Sequence, residues 1–309
     1  MMLCALSSIC MAEFEKDLQL KLILAEPGDT IRLDSGLFPI LGTLSMEGKR
    51  DVVIKGTGMN STILNFSTQV EGAQGLSITN CKNIILEDFT VQDAKGDAIK
   101  CQYTDGITFR RVKAQWLGGP QPTNGAYGLY PVQCENVLVE HCIAVAASDA
   151  GIYVGQSKDI IVRFSEAFDN VAGIEIENST RADGYGNNVH GNTGGILVFD
   201  LPDLPVKEGR QVRIFDNIIK DNNLDNFAPE GNIVGKVPAG TGIIAGGAIR
   251  SVCEVLGIQD VVAKSLGSSN PHNVLKACVN GLRSQNSPKI LSAIRGKKIS
   301  DIVLKREEK

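Results

Sequence analysis

The sequence predicts a mainly β fold: a right-handed parallel β-helix with an N-terminal capping helix, then a small α/β module ordered strand, helix, strand, helix. Three observations predict this fold in the chain of 309 residues. A short apolar motif recurs every 22–23 residues, which is typical of coiled repeat folds. The repeat stops near residue 240, where a helical spacing of apolar residues begins. The net charge also changes sign close to that point.

The repeated motif, a glycine followed by a short β-rich run, predicts the interior of the coil. Its copies at residues 151, 173 and 195 begin 22 residues apart. Stacked coils place equivalent residues in columns, and side chains alternate between the two faces of each strand. The column expected to point inward contains Ile99, Leu129, Ile152, Ile174 and Ile196. The column expected on the outer face contains Lys100, Tyr130, Tyr153, Glu175 and Leu197.

A second series of strands lies between the copies of this motif. Its members begin at residues 83, 106, 136, 159 and 211, so they are separated by 23, 30, 23 and 52 residues. The separation of 52 residues corresponds to two coils with an additional loop. Residues 183–188 (DGYGNN) are polar and rich in glycine, and we interpret them as a weak turn within this interval.

The N-terminal segment predicts a cap and a targeting remnant. Residues 14–25 have helical apolar spacing, so we expect them to form a helix that covers the open end of the coil. Residues 1–12 are apolar and uncharged, which suggests a truncated signal segment without its positive n-region. No run approaches the roughly 20 apolar residues that a membrane span needs. The predicted divisions are therefore 1–12, 13–239 for the β-helix and 240–309 for the α/β module.

Charge and cysteine content narrow the expected partners. Residues 236–309 contain twelve Lys or Arg and five acids, a net charge of +7, and the preceding residues have a net charge of −11. Such asymmetry predicts different partners for the two parts, with polyanions attracted to the basic one. The eight cysteines form no CxxC pair and no zinc-like cluster, so we expect free, mostly buried thiols, no metal and no cofactor.

Local signals beyond residue 240 predict alternating strands and helices. A strand is expected at residues 241–247, a helix at 248–256 ended by Gly257, and a strand at 261–263. Ser269 or Asn270 is then expected to cap a helix that runs to about residue 282. In this arrangement Pro271 occupies the first helical turn.

Three motifs in the coil carry a resemblance to a known family. They are AEPGDTI at residues 25–31, VIKGTG at 53–58 and NGAYGLYP at 124–131. On these motifs, residues 13–235 resemble pectin-lyase-like right-handed parallel β-helix proteins, and mannuronan epimerases in particular. That family has the signature Asp-Pro-His-Asp where this chain has YPVQ at residues 130–133. No catalytic residue is carried over, and we do not expect epimerase chemistry unless Tyr130 or Tyr153 acts as an unusual base.

The outer column supplies candidates for carbohydrate contact in place of a catalytic motif. Tyr130 and Tyr153 can stack on the sugar rings of an acidic polysaccharide, or they can simply cover the sheet. Glu175 and its neighbour Glu177 can contact carbohydrate or calcium, but for both we favour the alternative of a solvated strand face. Four further residues have expected structural roles: Asp97 and Asp149 as turn residues that bond the backbone, His141 as an exposed strand residue and His190 as part of a polar turn.

The basic C-terminal part resembles a different family. GTGIIAGGAIR at residues 240–250 and AKSLGSSNP at 263–271, with continued similarity to residue 297, are similar to the C-terminal domain of the fifth bacterial small-subunit ribosomal protein. The resemblance implies no catalysis but binding to small-subunit ribosomal RNA (rRNA) and neighbouring ribosomal proteins. The candidate contacts are Arg250, Lys264, Ser268, Ser269 and Asn270.

The two resemblances imply incompatible compartments, and this leaves three hypotheses. The first is a cytoplasmic, ribosome-associated module with an incidental coil. The second is a periplasmic or extracellular carbohydrate-binding or carbohydrate-modifying β-helix with an incidental basic tail. The third is a chimera that joins two families at residues 238–243 (PAGTGI), a segment that fits both. Coil sequence stands where the ribosomal family has its N-terminal domain, although residues 232–237 are a candidate for the first strand of the C-terminal domain.

Overall fold

The computed structural model describes residues 2–229, 243–245, 249, 252, 261–263 and 270–283. Two compact units divide the chain, Met1–Ala239 and Gly240–Lys309. Helix α1 spans Met2–Leu24 and helix α2 spans Pro271–Arg283. The strands are β1 Thr30–Arg32, β2 Gly36–Pro39, β3 Leu44–Glu47, β4 Arg50–Lys55, β5 Thr62–Asn65, β6 Leu76–Thr79, β7 Lys82–Gln92, β8 Ile99–Gln102, β9 Asp105–Gln115, β10 Tyr127–Val132, β11 Glu135–Glu140, β12 Ile143–Val145, β13 Ala150–Gly155, β14 Lys158–Arg163, β15 Glu166–Phe168, β16 Ala172–Glu177, β17 Thr180–Tyr185, β18 Asn188–His190, β19 Gly194–Phe199, β20 Arg210–Phe215, β21 Ile218–Lys220, β22 Ile243–Ala245 and β23 Val261–Ala263.

The first unit is a parallel β-helix, as the repeat predicts. One sheet contains seven strands in the order β19-β16-β13-β10-β8-β6-β3, and we call it the seven-stranded face. The remaining strands belong to a sheet of fourteen that covers two sides of the coil. The long strands β7 and β9 join these two sides, because each pairs at its start with one series of strands and at its end with another.

The predicted interior column is confirmed by the strand register. Leu129 pairs with Ile99 on one side and with Ile152 on the other, and the column continues through Ile174 to Ile196. The first four side chains are at most 1% exposed. Ile196 is only partly buried because it lies on β19, the last strand of this face in the described part of the chain. Burial of this aliphatic column contributes to the hydrophobic stabilisation of the coil.

The second strand series is also confirmed, but the weak turn predicted at residues 183–188 is confined to residues 186 and 187, between β17 and β18. Thr180–Tyr185 forms strand β17, which pairs with β14 below it and β20 above it. The polar residues are compatible with a strand because they point outward, where Arg213 donates to Asp183 over 2.7 Å. Gly184 occupies an interior position in that strand, so the coil is continuous through this interval.

Stacked asparagines hold the turns of successive coils in line. The side-chain amide of Asn170 donates to Asn192 over 2.9 Å, and that of Asn192 donates to Asn222 over 2.8 Å. The carboxamide oxygens of Asn192 and Asn222 also accept the backbone N–H of the asparagine in the preceding coil. Because Asn170 and Asn192 are fully buried, this ladder satisfies turn groups that have no access to water.

Helix α1 closes the first coil, as predicted, and begins earlier than the predicted residue 14. Leu18 and Leu22 are buried against the coil. The Glu15 carboxylate accepts the backbone N–H groups of Leu41 and Gly42 over 2.9 and 2.8 Å. Within the described residues, no helix is long and apolar enough to cross a membrane. The interpretation of residues 1–12 as a signal remnant stays a prediction.

The second unit contains the predicted strand and helix elements where it is described. Strands β22 and β23 pair in parallel and form a sheet of their own. Asn270 caps helix α2, because its side-chain oxygen accepts the N–H of His272 over 3.0 Å. Pro271 is the first helical residue, as expected. Most of the helix predicted at residues 248–256 lies outside the described residues.

Candidate functional site

The outer surface of the seven-stranded face carries a compact group of tyrosines and acids. Successive coils place Lys100 beside Tyr130, and Tyr153 beside Glu175, because these residues are register partners. Asp97 and Asp149 come just before strands β8 and β13, Tyr127 begins β10, and Glu177 lies two positions after Glu175 on β16. We call it the tyrosine–acid cluster, and its members are Asp97, Lys100, Tyr127, Tyr130, Asp149, Tyr153, Glu175 and Glu177.

Three tyrosine rings form the centre of the tyrosine–acid cluster. The centroid of the Tyr127 ring lies 4.5 Å from that of Tyr130 and 4.6 Å from that of Tyr153. The rings of Tyr130 and Tyr153 meet edge to face at 4.9 Å. These are favourable geometries for aromatic pairs, so the rings support one another from coil to coil.

Two of the phenols are held by acids. The hydroxyl of Tyr153 donates to Glu177 over 2.5 Å, and that of Tyr127 donates to Asp149 over 2.9 Å. Burial raises the pKa of both carboxyl groups, against the opposing effect of these hydrogen bonds. The bonds fix the position of the rings, and they leave each carboxylate with further accepting capacity.

The other two acids of the cluster are more strongly perturbed. Burial raises the pKa of Glu175 to about 8, and the charges of Asp149 and Glu177 add to the effect. Burial also raises the pKa of Asp97 to about 6, although the charge of Lys100 opposes this shift. Carboxyl groups perturbed in this way mark a candidate functional site.

The environment of the phenols disfavours their ionisation. Burial, together with the charge of Asp97, raises the pKa of Tyr130 to about 12. The pKa of Tyr153 is also raised, by burial first and then by its hydrogen bond to Glu177. Proton abstraction by either residue would require an ionised phenol, which this environment disfavours. The structure therefore gives no support to Tyr130 or Tyr153 as an unusual base.

The structure brings together the three predicted carbohydrate contacts, Tyr130, Tyr153 and Glu175, in one cluster. The expectation of a solvated strand face is wrong, because Glu175 and Glu177 are only 3% and 5% exposed. Tyr153 is 4% exposed and belongs to the same buried patch as Ala150 and Ala172. The physical reason is that large side chains in successive coils cover one another across the narrow spacing of parallel strands.

Sequence reasoning placed Lys100 on the outer face without giving it a role, missed Tyr127, and gave Asp149 a different role. The sequence predicts that Asp149 bonds backbone groups, but its side chain accepts the Tyr127 hydroxyl. One signal was available: Asp97 and Asp149 each come shortly before a strand of the same face. That position places both aspartates at the edge of the outer column.

Both histidines of the coil lie outside the tyrosine–acid cluster. His190 is the last residue of β18 and not part of a turn, and its Nε2 lies 3.0 Å from Glu166. His141 follows β11, is exposed as predicted and stacks on Phe164 with ring centroids 5.4 Å apart. The described residues contain no group of three or more His, Cys, Asp or Glu that could hold a metal ion.

Two groups of predicted residues remain: the cysteines of the coil and the candidate rRNA contacts of the second unit. Four cysteines are free and buried in the coil, as expected: Cys81, Cys101, Cys134 and Cys142. Of the candidate rRNA contacts, Arg250, Lys264, Ser268 and Ser269 lie outside the described residues. Asn270 caps helix α2, so it lies at the N-terminal end of that helix.

Stacked parallel coils closed by a helix define a parallel β-helix protein. The family model described as "Right handed beta helix region" matches residues 74–249, which is more than half of the chain. The chain belongs to this family. A second model, described as "Ribosomal protein S5, C-terminal domain", matches residues 234–295. The two matches share residues 234–249.

Relatives found by sequence include small-subunit ribosomal proteins. Small ribosomal subunit protein uS5 of Pelagibacter ubique is 48% identical over 106 residues, which cover 33% of this chain and 56% of that protein. The same protein of Cereibacter sphaeroides is 59% identical over 68 residues, covering 22% of this chain and 36% of that protein. The chain thus spans about half the length, or less, of these relatives. Because 106 residues exceed the 70 from Gly240 onward, the first match begins upstream of the predicted division.

The solved structures with a similar fold are β-helix proteins of low sequence identity to this chain. The Agl-KA catalytic domain is 12% identical, with 70% of this chain and 45% of that chain covered and a TM-score of 0.47. The mannuronan C-5 epimerase AlgE4 A-module of Azotobacter vinelandii is 17% identical, with 61% and 68% covered and a TM-score of 0.37. Pectate lyase Pel9A is 11% identical, with 69% and 75% covered and a TM-score of 0.32.

The raised carboxyl pKa values predict that stability falls as the pH rises. The folded chain binds more protons than the unfolded chain between the ordinary Glu value of 4.5 and about 8 for Glu175. Each unit of raised pKa therefore removes about 1.4 kcal/mol from the free energy of unfolding once the carboxyl is ionised in both states. Urea denaturation at pH 5 and pH 8.5 measures this loss, which we expect to be smaller in Glu175→Gln.

The control for this measurement is Glu135→Gln, on another side of the coil, where the side chain is 55% exposed. This variant is expected to show the same pH dependence as the unmodified chain. An equally steep loss of stability in Glu175→Gln would show that Glu175 does not ionise between these pH values.

Proposed function

We propose that the tyrosine–acid cluster binds carbohydrate. The observation that carries this proposal is the grouping of three tyrosine rings with four carboxyl groups on one outer face of the coil. Tyrosine combines an apolar ring with a polar hydroxyl, and carboxylates accept hydrogen bonds from hydroxyl-bearing ligands. A binding site needs this combination of apolar surface and a few placed polar groups.

The proposal is binding without epimerase chemistry. Tyr130, Pro131, Val132 and Gln133 stand where the epimerase family has its signature, so two acids and a histidine are replaced. Burial keeps the nearby phenols protonated by raising the pKa of each, which supports the same conclusion. Under this proposal the β-helix acts in the periplasm or outside the cell.

Replacing Tyr130 by Ala is expected to weaken carbohydrate binding about tenfold, equivalent to roughly 1.4 kcal/mol. The Tyr130 ring is half-buried, and its hydroxyl donates no hydrogen bond to an acid of the cluster. Its loss therefore removes stacking surface but leaves the hydrogen bonds of Tyr127 and Tyr153 in place. Affinity electrophoresis of the full chain in alginate, pectin, chitosan and a neutral glucan measures the effect.

Tyr103→Ala is the matched control, because Tyr103 is 52% exposed in the turn after β8 and lies outside the cluster. It is expected to migrate like the unmodified chain in every gel. Equal retardation of all three proteins in every polysaccharide would contradict the proposed site.

A second function is proposed for residues 240–309: binding to small-subunit rRNA and neighbouring ribosomal proteins. The match of residues 234–295 to the ribosomal C-terminal domain favours it. Lys264 and Arg250 would pair with phosphates, and Ser268, Ser269 and Asn270 would contribute polar contacts at the start of helix α2. Helix N-termini favour anions, which agrees with this placement of Asn270.

Replacing both Arg250 and Lys264 by Ala is expected to weaken binding to small-subunit rRNA uniformly across sequences. The slope of log K against log salt should become shallower by about 0.9 for each phosphate that the variant no longer neutralises. Filter binding of the full chain at several salt concentrations measures the slope. Lys158→Ala in the coil is the control and should leave it unchanged, whereas an equal slope in all three proteins would refute the pairing of Arg250 and Lys264 with phosphates.

We propose that the two parts have no combined activity and meet at a join between two families. The support is that both family models extend over residues 234–249, around the predicted join at 238–243. A short segment acceptable to both families is where recombination or sequence assembly can connect them.

Re-reading the genomic locus across codons 225–255 tests this origin. A recombined gene is expected to give one continuous reading with uniform coverage, and an assembly error is expected to give two separate loci. One continuous locus in which a complete β-helix gene is fused to a complete ribosomal-protein gene would contradict a chance join.

A further inference from the structure

The Glu175 carboxyl group lacks a hydrogen-bond partner in the described part of the chain, although its side chain is only 3% exposed. The charged groups that act on it most strongly are Asp149 and Glu177, both acids. A buried carboxyl group without a donor, and with two neighbours of like charge, is costly. A bound cation would remove both parts of that cost.

The carboxyl oxygens of Glu175 remain within reach of a ligand. Among the described residues, Thr193 Oγ1 is the one fully buried side-chain oxygen or nitrogen without a partner. Glu175 does not belong to that class of fully buried, unpartnered atoms, and its side chain keeps an exposure of 3%.

The chain already places one ammonium group in this cluster. Lys100 Nζ lies 5.2 Å from the centroid of the Tyr130 ring, a cation–π geometry. Its charge also acts on Asp97, whose pKa it lowers against the effect of burial. The cluster therefore contains four acids and one lysine. This lysine can pair with only some of the four carboxyl groups.

We propose that the carbohydrate bound by the tyrosine–acid cluster is an amino-sugar glycan, with a free ammonium group paired to Glu175. This inference rests on the proposed carbohydrate function and names its substrate class. A uronate would add a negative charge beside Asp149, Glu175 and Glu177, so the acidic polysaccharide expected from the sequence is disfavoured. An amino sugar adds a charge-assisted hydrogen bond where the carboxyl group has none.

Isothermal titration calorimetry of the full chain with three hexasaccharides at pH 6 tests the proposal. The probes are the hexamers of glucosamine, of N-acetylglucosamine and of galacturonate, which differ in charge at equal length. The glucosamine hexamer is expected to bind at least about tenfold more tightly than either of the others, which corresponds to about one charge-assisted hydrogen bond. Pairing also releases the proton of Glu175, which titrations in two buffers of different ionisation enthalpy detect.

Glu175→Gln is expected to lower the affinity for the glucosamine hexamer about tenfold and to abolish the proton release, with a smaller effect on the affinity for the N-acetylated hexamer. Glu135→Gln, an exposed carboxylate on another side of the coil, is the control and should match the unmodified chain. An equal loss in both variants would overturn the proposal, because it would indicate a general attraction between charges.

The outcomes separate this inference from the proposed function. Binding of the N-acetylated or galacturonate hexamer as tightly as the glucosamine hexamer would overturn the amino-sugar assignment and leave carbohydrate binding intact. Binding of none of the three, together with no retention on other polysaccharides, would overturn both.

Discussion

Parallel pairing between successive coils is the constraint on which the rest of this structure depends. Each strand bonds to the equivalent strand one coil earlier and one coil later. A residue therefore lies next to the residues at the equivalent position in both neighbouring coils. Inside the coil this alignment stacks Ile152 on Leu129 and Ile174. Outside it stacks Tyr153 on Tyr130 and places Glu175 beside Tyr153 on the next coil. The core and the candidate site therefore arise from one register.

The same constraint decides how far the sequence could predict the fold. Ile152, Ile174 and Ile196 could be assigned to one column because their period of 22 residues is regular and their burial follows from alternation. Strand β17 was missed because Asp183 and Gly184 have poor strand propensity. Pairing with strands on both sides outweighs that preference, and no local pattern reports it.

The sequence could predict three residues of the candidate site but not how deeply they are buried. Periodicity places Tyr130, Tyr153 and Glu175 on a shared outer face, and the structure agrees. Burial of Glu175 depends on the size of side chains in neighbouring coils, which a single position cannot reveal. The hydrogen bond between Tyr127 and Asp149 joins residues 22 apart in sequence, and it requires the register to be known first.

The asparagine ladder through Asn170, Asn192 and Asn222 restricts how this protein can change in length. Each carboxamide bonds to the one in the next coil, so the ladder needs an amide at the same turn of each coil that it crosses. Removing or duplicating a whole coil keeps every amide opposite another amide. Losing a single residue within a strand or ladder turn displaces all later amides and interior isoleucines together. Viable insertions and deletions are therefore expected in multiples of one complete coil, or in loops that the ladder does not cross.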